Sequence, residues 1–320
     1  MVSLRTVHPI TMWLLLVGVL GSAALANADS NSANTRAVPP RTDYAPVLAS
    51  SGDRTLALVV GFGGAVEYDW WDLGGGSNGF RFIESDELFT DAPAGGGLVR
   101  SGNYAFTVAR KSDNTVYLNQ GIPGGKWADR WQLLSVKSKV APSAASTGDR
   151  TMAIITRTDG HMMYDWWDYG GAGHGFSEIP GGLLSNHSTA AALVDNGNYA
   201  FVLAMSYGMV WVNQGAPGGS WVGWRSMGIS SNLPPAATSC GARTLVVVVT
   251  PTGQIMYDWW DLGGGGHGFR EIPGSFRTPS TVGVALVGNG KYAFVMARDS
   301  TSKLWLNQGD PTTGSWVGWR

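Results

Sequence analysis

The stretch YDWWD occurs three times, at 68–72, 164–168 and 257–261, and each copy runs into a glycine tract. The copies lie 96 and 93 residues apart, and a second signature, NQG beginning at Asn119, Asn213 and Asn307, recurs at intervals of 94 and 94. So regular a period marks a repeat architecture, in which each unit buries its apolar face only against the next. Every long unit divides again: an apolar run, a turn, an aromatic-bearing run, a Gly-rich loop and a closing run occur twice in each. The aromatics that align in these half-units are Tyr68, Tyr117, Tyr164, Trp211, Tyr257 and Trp305, with successive separations of 49, 47, 47, 46 and 48. Six modules of about 47 residues therefore fill the chain over 44–320.

Within a module the pattern predicts four short strands, placed in the first module at 45–51, 55–61, 65–71 and 80–83. Short β-branched and aromatic runs bounded by Gly, Pro, Asn and Asp are the grammar of strands and turns, and no segment beyond the N-terminus keeps a helical apolar period. Charged residues are only 14% of the chain and glycines number 46, which suits tight turns between covered strands. A four-stranded module of this size matches a propeller blade, and radial closure protects sheet edges that would otherwise aggregate. The expected fold is all-β, a six-bladed β-propeller built from three two-blade repeats; the alternative is a seven-bladed ring with an incomplete blade. The chain stops at WVGWR where the preceding even blade continues WVGWRSMGI, so a clipped last strand or an exchange with the N-terminal segment is expected at closure. Blade two has WADRW in place of WVGW, one residue longer, which suggests a bulge.

Ahead of the repeats, Arg5 precedes an apolar run over 10–20, and small residues follow in GSAALANA with Ala26-Asn27-Ala28 as an A-x-A site. This predicts a secretory signal over 1–28 and export to an extracellular or periplasmic space, with no membrane span after cleavage. Residues 29–43 are polar and carry paired prolines, and are expected to form a flexible leader. Cys240 is the only cysteine, so the domain must hold together by packing, and its setting in TSCGAR reads as a small buried or turn residue. A formal net charge of −1 and the lack of a basic run argue against nucleic acid as a partner.

Function is addressed by the alternation. Odd blades carry YDWWD and the glycine loop, even blades carry NQG and W-x-x-W, so a site between an odd and an even blade occurs up to three times. Catalysis needs one asymmetric constellation, whereas linked weak sites raise avidity by about 10² to 10⁴, so triplication favours binding. Tryptophan offers an apolar plane with a polar edge, suited to the CH face of a sugar ring, and the polar types that read hydroxyls lie beside it. The candidate carbohydrate-binding residues are Trp71, Asp72, Trp167, Asp168, Trp260 and Asp261; Asn78, His174 and His267, which share one position of the glycine loop; and Asn119, Gln120, Asn213, Gln214, Asn307 and Gln308. Trp71, Trp167 and Trp260 are preferred as platforms because the even blades have no aromatic there, Gln120 being the first equivalent. The aromatics common to all six modules are assigned to packing. The glycine loop lacks the following helix and the Lys of a phosphate-binding loop. No catalytic residue, metal site or cofactor is predicted: Asp72, Asp168 and Asp261 lack the ligand pattern of a calcium loop, and one copy has Asn where two have His.

Alternatives from other classes are a secreted glycoside-acting enzyme using the unrepeated cluster Glu84, Asp86 and Glu87, and a scaffold that binds protein at its rim. Asn186-His187-Ser188 is a glycosylation sequon if the host modifies its exports. Whether several copies of the chain assemble is left open.

The modules RTMAIITRTDGHMMYDWWDYG…GFSEIPGG and YAFVLAMSYGMVWVNQGAPGGSWVGWRSMG resemble blades of the Photorhabdus-type β-propeller lectins, which share the apolar strand, the turn, the aromatic strand and a closing G-W-x-x-W. A more distant likeness is to tectonin-type and Aleuria-type six-bladed lectins. The resemblance covers nearly all of the chain from Tyr44 onward. It implies non-catalytic sugar binding, often of fucose or methylated sugars, in pockets between blades, with glycans as the partners. Members of the Photorhabdus group have seven blades, and their sugar-contacting residues have no one-for-one match here.

Overall fold

The computed structural model describes residues 42, 44–61, 63–83 and 88–320. The expected signal, the leader apart from Thr42, and the cluster Glu84, Asp86 and Glu87 lie outside them; Thr42 is buried and its hydroxyl donates to the Val60 carbonyl at 2.6 Å. Among the described residues, no helix is long and apolar enough to cross a membrane.

The first module forms β1 (Val47–Ser51), β2 (Arg54–Val60), β3 (Val66–Asp72) and β4 (Arg81–Phe82). The second forms β5 (Gly95–Val99), β6 (Tyr104–Arg110), β7 (Thr115–Gly121) and β8 (Gln132–Lys137). The third has β9 (Ser143–Thr147), β10 (Arg150–Thr156), β11 (Met162–Asp168) and β12 (Ser177–Glu178); the fourth has β13 (Ala190–Val194), β14 (Tyr199–Ser206), β15 (Met209–Gly215) and β16 (Arg225–Ser230). The fifth comprises β17 (Ala236–Cys240), β18 (Arg243–Val249), β19 (Ile255–Asp261) and β20 (Arg270–Glu271), and the sixth β21 (Gly283–Val287), β22 (Tyr292–Arg298), β23 (Leu304–Asp310) and β24 (Ser315–Trp316). Each module is one antiparallel four-stranded sheet in sequence order. The fold is a six-bladed β-propeller.

Local sequence explains the meander. In each odd blade a two-residue turn joins the first two strands, pairing Ser51 with Arg54 in blade 1, and Gly52, Gly148 and Gly241 supply the positive φ it needs (62°, 57° and 63°). The second strands are covered on both faces, so RTLALVV and RTLVVVV are near-continuous apolar runs rather than alternating ones. Fourth strands differ by class: β4, β12 and β20 have two residues each, whereas β8 and β16 have six.

The innermost strands pack neighbour to neighbour around a complete ring, β1 lying against both β5 and β21. Closure needs no exchanged strand. The Leu286 N–H donates to Ser50 Oγ at 3.1 Å across the seam between blades 6 and 1. At the equivalent place between blades 2 and 3, Ser146 Oγ donates to the Leu98 carbonyl at 2.7 Å. The last strand is short, as expected, yet Arg320 exchanges both main-chain hydrogen bonds with Leu306 (2.9 and 3.0 Å) in the way Arg225 pairs with Val212. The expected bulge at WADRW takes another form. The β7–β8 register shift lies between Thr115 and Tyr117, and blade 4, without the extra residue, shows the same shift between Met209 and Trp211. The additional residue is taken up in a bend at Asp129 and Arg130, after which Leu118 pairs with Gln132 just as Val212 pairs with Arg225.

The blade interfaces are of two kinds, and they alternate. Where an even blade meets the next odd one, Phe294 packs edge-on against Trp71, Phe106 against Trp167 and Phe201 against Trp260, with centroids 5.6, 5.6 and 5.3 Å apart. Where an odd blade meets the next even one, Tyr68, Tyr164 and Tyr257 pack against Trp127, Trp221 and Trp316 at 5.1, 5.2 and 5.3 Å. Cys240 is buried at the end of β17, as its small-residue setting suggested.

Candidate functional site

The two tryptophans of each DWWD point to opposite faces of the blade, as strand alternation requires. Trp71, Trp167 and Trp260 are only 6%, 6% and 4% exposed, each enclosed in the even-to-odd interface with its Phe partner. This corrects the expectation that they are the stacking platforms: a ring packed on all sides offers no plane to a ligand. Their partners Trp70, Trp166 and Trp259 are half-buried on the odd-to-even face and are the indoles that reach the rim.

Each of these indoles sits in a clasp that recurs three times. Arg54, Arg150 and Arg243 open the second strand of the odd blades and stand directly across from Asp72, Asp168 and Asp261 on the third. Guanidinium and carboxylate pair through two hydrogen bonds, at 2.7 and 3.0 Å, 2.8 and 3.1 Å, and 2.9 and 3.0 Å. The remaining Arg nitrogen donates to a carbonyl of the following even blade, Gly102, Gly197 or Gly290, at 3.3, 3.2 and 3.1 Å. The guanidinium carbon lies 4.5, 4.2 and 4.4 Å from the indole centroid of Trp70, Trp166 and Trp259, a cation–π geometry. Asp72, Asp168 and Asp261 are thus ion-pair partners. The hydrogen bonds from Arg hold their carboxyls below the usual carboxylate range, against a smaller opposing effect of burial.

The second flank of the indole is set by the glycine loop. The short fourth strand pairs only with the first part of the third, Glu67 with Phe82 and Tyr68 with Arg81 in blade 1, and so stops short of Trp70. Beyond it the loop is pinned by the first Asp of the motif. Asp69, Asp165 and Asp258 are buried, and each accepts from the N–H of the next Trp and from the N–H of Asn78, His174 or His267. The distances are 2.7 and 3.0 Å, 2.7 and 2.9 Å, and 2.8 and 2.8 Å, all within the ordinary hydrogen-bond range. Burial pushes the Asp69 carboxyl up in spite of these bonds. A Cβ on Gly173 or Gly266 would lie 2.5 Å from the Asp carboxylate, so the loop passes close to it there.

The loop brings His174 and His267 flat against Trp166 and Trp259, with centroids 3.6 and 3.8 Å apart and planes at 12° and 27°. Two groups at such distances cannot share one face of an indole, so Arg150 covers one side of Trp166 and His174 the other, with the same division at Trp259. His174 Nδ1 donates to the Trp166 carbonyl at 2.7 Å, leaving Nε2 directed away from it. Asn78 Nδ2 makes the equivalent bond to the Trp70 carbonyl at 2.7 Å.

The remaining candidates separate. Asn119, Asn213 and Asn307 are 1%, 0% and 0% exposed and tie the W-x-x-W turn to the sheet. Asn213 accepts from the Gly223 N–H at 2.9 Å and donates to the Pro180 carbonyl at 3.1 Å, and Asn307 accepts from the Gly318 N–H at 3.0 Å. The expectation that they read sugar hydroxyls is corrected by that burial. Gln120, Gln214 and Gln308 stand across from Phe106, Phe201 and Phe294, hence on the other interface from the clasp. The clasp therefore gathers Trp70, Asp72 and Asn78, and their counterparts, from one odd blade. Sequence reading missed the arginines, although SSGDR, STGDR and SCGAR carry one at the same place in every odd blade. Among the described residues no group of three or more His, Cys, Asp or Glu could hold a metal ion.

The ring of six four-stranded blades with repeated inter-blade clasps defines the class of protein: a six-bladed β-propeller. No family model matches the chain, and no curated protein matches it. Solved structures do. The fucose-specific lectin from Aleuria aurantia superposes with a TM-score of 0.66 at 14% identity, over 88% of this chain and 97% of that one. The BP39L lectin from Burkholderia pseudomallei gives 0.61 at 19% identity, over 84% and 82%. AofleA from Arthrobotrys oligospora gives 0.66 at 12% identity, over 88% and 86%. At these identities the likeness is one of fold.

Proposed function

We propose that this chain is a carbohydrate-binding lectin with up to three repeated inter-blade sites, exported by its N-terminal signal and without catalytic activity. The observation that carries the reading is the threefold clasp: a half-buried indole at the rim of each odd-to-even groove, held by Arg and Asp and flanked by an exposed His or Asn. An aromatic edge beside a few fixed polar groups is the make-up of a site for a small polar ligand, and its repetition serves avidity. The platform role passes to Trp70, Trp166 and Trp259, with Asn78, His174 and His267 as the polar readers. Support from outside the chain is the fold shared with the lectins above. The Aleuria aurantia lectin is described as fucose-specific, and a point mutant of it was solved in complex with α-methyl-L-fucoside; fucosides are accordingly the first ligands to try. The Photorhabdus-type resemblance concerns the blade repeats, and the ring here has six blades rather than seven.

The test is a glycan array on the mature chain, repeated with Trp70→Ala, Trp166→Ala and Trp259→Ala combined. The expected result is binding by the wild type and its loss in the triple variant with the far-UV spectrum unchanged. Retained binding by that variant would remove the site assignment, and turnover of a bound glycan would overturn the non-catalytic reading.

A further inference from the structure

The three clasps are not copies of one another, and the differences fall at one point. In blades 3 and 5 the loop reads AGHG and GGHG; in blade 1 it reads GSNG. Ser77 replaces the glycine that elsewhere meets the carboxylate, and its hydroxyl donates to Asp69 Oδ2. It also accepts from the Gly79 N–H at 3.1 Å, so the turn of the loop is held from within. Asn78 replaces the stacked histidine. It keeps the bond to the backbone carbonyl of the tryptophan but has no ring to lay on the indole. Trp70 is covered on one side by Arg54 and its indole nitrogen is buried beside Gly124 of blade 2, but among the described residues no aromatic ring is stacked on it. Trp166 and Trp259 each carry an imidazole at stacking distance.

We propose that the residue at this loop position divides the grooves into two ligand classes: an open-indole site at Trp70 that takes the apolar CH face of a pyranose by stacking, and two imidazole-capped sites at Trp166 and Trp259 that meet the sugar through the imidazole edge. The inference rests on the lectin reading and adds to it which groove prefers which contact. Direct stacking on an indole removes more apolar area from water than contact with an imidazole edge does, so the Trp70 site binds more tightly. An imidazole held through Nδ1, as His174 is, presents its other nitrogen outward and selects for a hydroxyl at a fixed place, which a stacking platform does not.

The experiment is calorimetric titration of the full chain with α-methyl-L-fucoside, preceded by an array to establish glycan binding. Wild type is expected to show one tight site and two weaker ones, about tenfold or more apart. Ser77→Gly with Asn78→His, which makes the first loop match the others, should leave three weak sites; His174→Asn with His267→Asn should give three sites nearer the tight class. Because the second variant changes only exposed loop residues in other blades, it answers the question even if the first folds poorly. Three equal sites in the wild type, or a split that neither variant alters, would overturn the inference and leave the lectin reading standing. A wild type that binds nothing on the array would overturn the lectin reading, and this inference with it.

Discussion

The two kinds of blade interface use the same residue types for different ends. At the even-to-odd interface one Phe and one Trp meet edge-on among aliphatic side chains and a partly buried Tyr or Phe, so the core of the contact is closed and apolar. At the odd-to-even interface Tyr and several Trp residues gather with an arginine, a carboxylate and a loop histidine or asparagine, and part of the aromatic surface stays at the rim. Both hold blades together. The first does so by apolar burial with a few hydrogen bonds near the inner strands, such as Ser146 to Leu98, while the second divides its aromatic surface between packing and access. Adjacent residues of one strand thus belong to different systems, and a motif quoted as WW conceals the boundary between them.

That comparison can be broken at several points. The largest effect is expected for Trp167→Ala at the closed interface, where the loss of a fully packed indole costs about 3–5 kcal/mol; its neighbour Trp166→Ala should cost only about 1–2 kcal/mol while removing glycan binding at that groove. Urea denaturation of the two variants side by side measures the difference, and equal losses would erase the distinction. Next comes Asn213→Ala, which strands the Pro180 carbonyl and the Gly223 N–H and should cost about 1–3 kcal/mol. It should lower the denaturation midpoint and leave ligand specificity unchanged; altered specificity would return the residue to the binding site. The smallest effect belongs to the ion pairs. Converting Asp72, Asp168 and Asp261 together to Asn should cost about 0.2–1 kcal/mol per site at neutral pH, since these carboxylates are largely solvent-exposed. Their folded-state pKa is lowered, so the contribution is present above the ordinary carboxylate pKa of about 4 and is lost as pH falls through the lowered value. The triple variant should therefore unfold with a shallower dependence on pH on the acid side than the wild type, as followed by fluorescence.

The architecture was legible in the sequence because blade grammar is local: apolar runs, glycine turns and a fixed half-period place every strand within a few residues. The faces of the DWWD pair were not legible, for a physical reason. Both faces of a propeller blade are covered, so alternation assigns residues to sides without naming the side that meets solvent. Comparison of the third strands alone leaves Trp71 without an aromatic equivalent in even blades. The structure shows the compensation one strand over. Trp71 stands across from the small, buried Thr55, and at the matching positions of blade 2 Gln120 stands across from Phe106. Each pair supplies one large ring, and only the strand that carries it changes. The clasp arginines were visible as letters in the repeat, but their meaning depended on the strand pairing that places Arg54 beside Asp72.

The seam between blades 6 and 1 carries a further consequence. Its inner strands approach as closely as those within the chain: a Cβ on Gly283 would lie 2.9 Å from the Leu48 nitrogen, and one on Gly95 would lie 2.9 Å from the Ala144 nitrogen. The surface on which each two-blade unit ends is the surface against which the next begins, whether or not a peptide bond joins them. Geometrically, then, the molecule is a head-to-tail trimer with threefold cyclic closure whose subunits happen to be fused.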